Sequence, residues 1–132
     1  MDIIYRSDIV PETMQVTSLY KISGLNRPVD DEARIAEMYR NSNLIITAWH
    51  EDKLVGVARS LTDFCYCCYL SDLAVHEEYK QQGIGKKLIA LTQEVTGDRV
   101  TLILLSAPGA MGYYPKVGFD AITNGFIINR KR

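Results

Sequence analysis

The residues best placed to do chemistry lie in one run: Leu73-Ala74-Val75-His76-Glu77-Glu78-Tyr79-Lys80-Gln81-Gln82-Gly83-Ile84-Gly85-Lys86-Lys87-Leu88-Ile89. An apolar strand ends at Val75 and a short polar turn follows. Gly83 and Gly85 then open a helix with apolar residues at 84, 88, 91 and 95. The first-turn amides of a helix have no partner within it, and the helix dipole places about half a positive charge there. Such a junction binds anions, most often phosphate. Glycine lets the backbone approach the anion with no Cβ in the way. The chemistry expected here is the holding of a phosphorylated cofactor.

Two phosphate loops are excluded by their spacing. The Walker loop G-x-x-x-x-G-K-[ST] needs glycine at 80 and Ser or Thr at 87, where this chain has Lys80 and Lys87. The dinucleotide fingerprint G-x-G-x-x-G needs glycine at 88, which is Leu88. That fingerprint also sits early in a strand-helix-strand unit, whereas this loop comes past the middle of the chain.

The run Lys80-Gln81-Gln82-Gly83-Ile84-Gly85 closely resembles the acetyl-CoA motif of the GNAT acetyltransferase superfamily, Q/R-x-x-G-x-G/A. Lys80 departs from the usual Gln or Arg, keeping a charge but losing the planar donors. Downstream, Tyr114-Pro115-Lys116-Val117-Gly118-Phe119 resembles the family signature Y-x-K-x-G-F. The resemblance implies transfer of an acetyl group from acetyl-CoA to a primary amine, on a small molecule or an exposed protein amine, by direct attack in a ternary complex. It implies backbone contacts to the cofactor from Leu73, Ala74 and Val75, where a strand bulge frees backbone groups. It implies a pyrophosphate cradle from the amides of Gln82, Gly83, Ile84, Gly85 and Lys86, with Lys80 and Gln81 completing the motif. Lys86 or Lys87 is within reach of a 3′-phosphate, or is simply solvated. No metal is expected.

Acetyl transfer needs a deprotonated amine, and a free alkyl ammonium has a pKa of about 10.4. It also needs an acid for the departing thiolate. Tyr114 occupies the tyrosine position and is the candidate acid, since a phenol of pKa about 10 is protonated at neutral pH and close to a thiol. Pro115 restricts Tyr114 away from helical angles, and Tyr113 is the alternative donor. Asp72, on the strand beside the cofactor, is the candidate general base, for which burial would have to raise its pKa; its other reading is a structural carboxylate. His76 has a suitable intrinsic pKa but sits where the family places cofactor contacts. Glu32, Glu37 and Asp63 are candidates to border the substrate side. Arg27 is either a ligand for a substrate carboxylate or phosphate, or a helix cap.

The elements that position these residues can be read along the chain. Asp2–Arg6 reads as a strand. A helix opens at Pro11 and runs to Gly24, with Met14, Leu19 and Ile22 as its apolar stripe. Asp30 or Asp31 caps a second helix to about Arg40, with Ile35, Met38 and Tyr39 on one face. Strands follow at Leu44–His50, Leu54–Leu61 and Cys65–Val75, then the Gly83–Val95 helix. Val100–Leu105 is nearly all apolar, which predicts a central strand covered on both faces. A short helix from about Pro108 and a last strand at Phe126–Asn129 complete the order β-α-α-β-β-β-α-β-α-β. The fold class is therefore α/β (α+β), a mixed central sheet with helices on both faces, and it matches the GNAT layout.

At 132 residues the chain reads as one domain over 1–132. No apolar run approaches the roughly 18 residues of a membrane span, and Met1–Arg6 lacks a signal layout, so the expected setting is the cytosol, with no membrane partner. The net charge of −1 implies no general affinity for nucleic acid. Residues 1–76 carry 11 acidic and 7 basic side chains, while residues 77–132 carry 5 and 8. The basic half holds the phosphate loop, and the acidic half would suit a cationic amine. Cys65, Cys67 and Cys68 read as small buried hydrophobes without a zinc partner set. Alternatives within the same resemblance are a non-catalytic acyl-CoA sensor and transfer of a different acyl group. A homodimer is expected from the habits of the family.

Overall fold

The computed structural model describes residues 2–132; Met1, part of the stretch read for a signal layout, lies outside the described residues. Strand β1 (Ile4–Arg6) is followed by helices α1 (Thr13–Ser23) and α2 (Glu32–Arg40). Strands β2 (Leu44–His50), β3 (Lys53–Thr62) and β4 (Cys67–Val75) form a meander, and helix α3 (Ile84–Thr96) leads to β5 (Thr101–Ile103). The sheet order is β1-β2-β3-β4-β5, antiparallel until the parallel β4–β5 pair. This is the mixed sheet with helices on both faces expected from the sequence.

Two cores lie on opposite faces of the sheet. Ile84, Leu88 and Ile89 of α3 pack on Leu44, Ile46, Ala48, Val55 and Leu70. Val16, Leu19 and Tyr20 of α1, with Ile35 and Tyr39 of α2, pack on Ile45, Leu54, Val57 and Ala74. The stripe expected for α1 is only partly right: Met14 is 70% exposed and Ile22 40%, because the face that packs is Val16, Leu19 and Tyr20. Gly56 sets how closely α3 sits on β3, for a Cβ there would lie 2.9 Å from Ile84 Cγ2 and 3.1 Å from Leu88 Cδ1.

A bulge in β4 decides which face its side chains take. Arg59 pairs with Asp72 but Ser60 pairs with Leu70, so Ser71 is an extra residue. Side chains alternate along a strand, and one inserted residue reverses the alternation. Hence Cys68 and Leu70 face α3, while Asp72 and Ala74 face α1 and α2.

The C-terminal part departs from expectation. The single helix from Pro108 is replaced by two 3₁₀ turns, Pro108–Ala110 and Tyr114–Val117, in a stretch broken by Gly109, Gly112, Pro115 and Gly118. The last strand is not formed. Phe126 and Ile128 are 100% and 99% exposed, and the segment runs on to where Arg34 Nη2 donates to the Arg132 carbonyl at 3.1 Å. Without it, β5 is an edge strand of three residues rather than a central one. The cysteine reading also needs correction: Cys68 is buried, but Cys65, in a turn closed by Asp63, and Cys67, at the start of β4, are exposed. Among the described residues no helix is long and apolar enough to cross a membrane.

Candidate functional site

A cleft of about 1350 Å³ opens where β4 and β5 part. The two strands pair only through Cys67–Thr101, Cys68–Leu102 and Tyr69–Ile103. β4 continues to Val75, paired with β3 on one side and, among the described residues, with no strand on the other. Backbone groups on that open side need partners, and an extended ligand arm can supply them as an added strand would.

The loop below the cleft is shaped for an anion. Gln81 has φ 66° and Gly83 φ 78°, both left-handed, and Gly83 caps α3 without a side chain. The first turn of α3 carries no acidic residue but does carry Lys86 and Lys87. Cations at a helix N-terminus oppose the dipole, so this arrangement is suited to a bound anion rather than to the helix alone. A Cβ on Gly85 would lie 2.8 Å from the Tyr113 hydroxyl, so that hydroxyl hangs over the same helix N-terminus. Lys80 Nζ donates to the Ser23 carbonyl at 3.2 Å, tying the loop to the end of α1.

Leu73, Ala74, Val75, Lys80, Gln81, Gly83, Ile84, Gly85 and Lys86 all line the cleft, whereas Gln82 does not. Tyr113 and Tyr114 line it as well. Tyr114 is half-buried, edge-on to Tyr113 and Phe119 at centroid distances of 5.2 and 5.5 Å. Its hydroxyl has no hydrogen-bond partner among the described residues, and burial pushes its pKa above the ordinary phenol value. Pro115 lies in the first turn of the 3₁₀ segment, where a missing N–H costs nothing, and Tyr114 keeps its place on the cleft wall.

Asp72 does not have the properties expected of a base. It is fully buried and does not line the cleft. Its carboxylate accepts from Arg27 Nε at 2.7 Å, Arg59 Nε at 2.8 Å and Nη2 at 3.2 Å, the Tyr20 hydroxyl at 2.6 Å and Ser71 Oγ at 3.0 Å. Burial alone would raise its pKa, but the hydrogen bonds and charge of Arg59, with Tyr20 and Arg27, outweigh that and hold it below the usual carboxylate range. The structural alternative is the one its surroundings fit. Tyr20 in turn shares a short hydrogen bond with Tyr39.

The other carboxylates are also elsewhere. Asp63 Oδ1 accepts from the amides of Cys65, Tyr66 and Cys67 at 2.8–3.0 Å, bonds that pull its pKa well down. Among the described residues no Asp, Glu or His lines the cleft, so the acidic side chains of residues 1–76 do not form its wall. His76 Nδ1 instead accepts from the Glu78 amide at 3.1 Å. Among the described residues no three His, Cys, Asp or Glu side chains cluster as a metal site.

Reading the sequence missed Arg59, Tyr20, Tyr39 and Ser71. One signal was present: Arg59 is the only charged residue in the mostly apolar run Leu54–Leu61. A buried charge needs a partner, and the next strand carries only one carboxylate, Asp72.

The comparisons agree with this geometry. An uncharacterised N-acetyltransferase, ycf52, of Pyropia yezoensis is 30% identical over 86 residues, covering 61% of this chain and 49% of that protein. The chain thus spans about half the length of that curated relative. A GNAT-family acetyltransferase of Streptococcus pneumoniae has a TM-score of 0.74 at 23% identity, with 98% of this chain on 100% of that one. An aminoglycoside N-acetyltransferase, AAC(6')-Iy, in complex with CoA has a TM-score of 0.73 at 17% identity, with 99% of this chain on 96% of that one. The acetyltransferase (GNAT) domain model matches residues 17–129, a span that takes in both motifs, the parted strands and the uncapped helix, and the chain belongs to that family.

Proposed function

We propose that residues 1–132 form one acetyl-CoA-dependent N-acetyltransferase domain that acts on a primary amine in a ternary complex. The observation that carries this reading is the open edge of β4 running into the uncapped, lysine-flanked N-terminus of α3. An arm ending in a pyrophosphate fits that pair of features, and the CoA named with AAC(6')-Iy supports the assignment. When bound, acetyl-CoA supplies an activated thioester. Leu73–Val75 would hold the arm by backbone groups, and the amides from Gly83 to Lys86 would hold the phosphates. Tyr114 Oη would give its proton to the departing thiolate, and burial keeps that proton in place at neutral pH. A cytosolic setting and a homodimer belong to the same proposal.

Because the described residues of the cleft wall offer no carboxylate or imidazole, the acceptor reacts from its own neutral fraction. This has a kinetic consequence, read from thiol release with an alkylamine acceptor. The logarithm of kcat/KM should rise about one unit per pH unit from 6 to 9, toward the amine's pKa of about 10.4. A plateau reached near pH 7 would show that a protein group takes the proton. Binding of acetyl-CoA with no thiol release for any amine would favour the sensor reading.

A further inference from the structure

The cleft has two ends, and the one away from the phosphate loop is chemically specific. There Arg27, from the loop after α1, and Arg59 reach Ser71 and Asp72, three to four residues before β4 ends at Val75 and runs on to the phosphate loop. Gly24, at φ 83°, ends α1 and turns the chain into that loop. Among the described residues, the charged side chains that line the cleft are Arg27, Arg34, Arg59, Lys80, Lys86 and Arg130, and no acidic one is among them. Lys80 and Lys86 belong to the phosphate end. Arg27 and Arg59 belong to the other.

Two of these arginines share Asp72, so the floor carries two guanidinium charges against one carboxylate. They are not equivalent. The Arg59 side chain is 8% exposed, stacked near Tyr39, and spends its donors on Asp72, Ser42 and Ser71. The Arg27 side chain is 27% exposed. Its Nε donates to Asp72, its Nη2 to the Ser71 carbonyl at 2.6 Å and its Nη1 to the Asn26 carbonyl at 2.7 Å. A guanidinium has five N–H donors, so one on each terminal nitrogen of Arg27 is left over. The group is held rigid by three acceptors before any ligand arrives, which lowers the ordering cost of binding. Arg27 and Tyr114, the proposed acid, line the same cleft.

A cleft built for a polycationic amine would present carboxylates to it, whereas this one presents only cations. We infer that the acceptor is an amine bearing its own anionic group, a carboxylate or a phosphate, which Arg27 holds at the Ser71 end of the cleft. This inference rests on the acetyl-transfer reading above. It also separates the chain from a polyamine-type acceptor, since the likeness to an aminoglycoside enzyme extends to the fold alone. The anionic group fixes one end of the acceptor and leaves its amine pointing toward the thioester end. Planar, two-pronged contact to an oxyanion is what a guanidinium does better than an ammonium.

The test uses matched acceptors with the whole chain and saturating acetyl-CoA, reading thiol release. One pair is an ω-amino acid and its carboxamide. A second is an aminoalkyl phosphate and the corresponding amino alcohol. A linear polyamine is the opposite case. The anionic member of a pair should have a kcat/KM about 10- to 100-fold higher, the range expected for a hydrogen-bonded charge. Which pair shows the larger ratio distinguishes carboxylate from phosphate. Arg27→Gln should remove the preference mainly through KM, and Arg27→Lys should restore part of it, with the acetyl-CoA Kd unchanged in both. Equal or better turnover of the neutral members or the polyamine overturns the inference, as does a preference that survives in Arg27→Gln. The wild-type ratios hold whether or not either variant folds. If acetyl-CoA neither binds nor is consumed, the acetyl-transfer reading fails and takes this one with it; if it binds and the anionic preference is absent, this one fails alone.

Discussion

Replacing Asp72 with alanine lowers the free energy of unfolding by about 3–5 kcal/mol, the cost of removing one partner from a buried ion pair. The loss is large because Asp72 is the shared acceptor of Arg27, Arg59 and Tyr20 at the base of the bulge. Without it, Arg59 is left buried beside Tyr39 with no counter-charge. For a chain of this length the melting temperature should fall on the order of 10 °C. The pH dependence carries a sign. The folded pKa of Asp72 lies below its unfolded value, so its contribution is complete above about pH 4 and is lost as pH falls through the folded value. Denaturant unfolding of wild type and variant should therefore differ fully at neutral pH and converge in acid. A variant that melts like wild type but has lost turnover would return Asp72 to the role of base.

Tyr114→Phe should reduce turnover by about 10²- to 10⁴-fold, the usual worth of a placed acid or base. Acetyl-CoA affinity and melting temperature should be unchanged, because the hydroxyl bonds to no described residue. The measurement is kcat from thiol release beside a binding isotherm for the cofactor. Unchanged turnover would move the acid to Tyr113, whose hydroxyl hangs over Gly85.

Much of this was legible in the sequence because it depends on local rules. Strand β2 was read with its observed bounds, since a run of apolar and β-branched residues is bounded by Asn41-Ser42-Asn43 on one side and Glu51-Asp52 on the other. The start of α3 was legible because Gly83 and Gly85 serve backbone needs that other residues meet poorly. The environment of Asp72 was not legible. Its orientation depends on the inserted Ser71, and a bulge is set by the register between two strands, not by either strand's own pattern. The edge position of β5 was missed for a related reason. An all-apolar run reports burial on both faces only when a neighbour is present on each side, and Phe126–Asn129 does not return to it. The cationic character of the cleft was hidden by a sum over the chain. Acidic residues dominate positions 1–76, yet among the described residues the charged side chains that the cleft takes from that half are all arginines.

The central claim is that the open β4 edge and the N-terminus of α3 together bind acetyl-CoA. Thermal unfolding with acetyl-CoA, coenzyme A, ATP and NAD at equal concentrations tests it most directly. A ligand that binds only the folded state stabilises it by about 2.7 kcal/mol at a hundredfold excess over Kd. Stabilisation by acetyl-CoA and coenzyme A, absent or much smaller with ATP and NAD, is the predicted result. No shift with the two thiol cofactors, or a larger one with ATP or NAD, would contradict it.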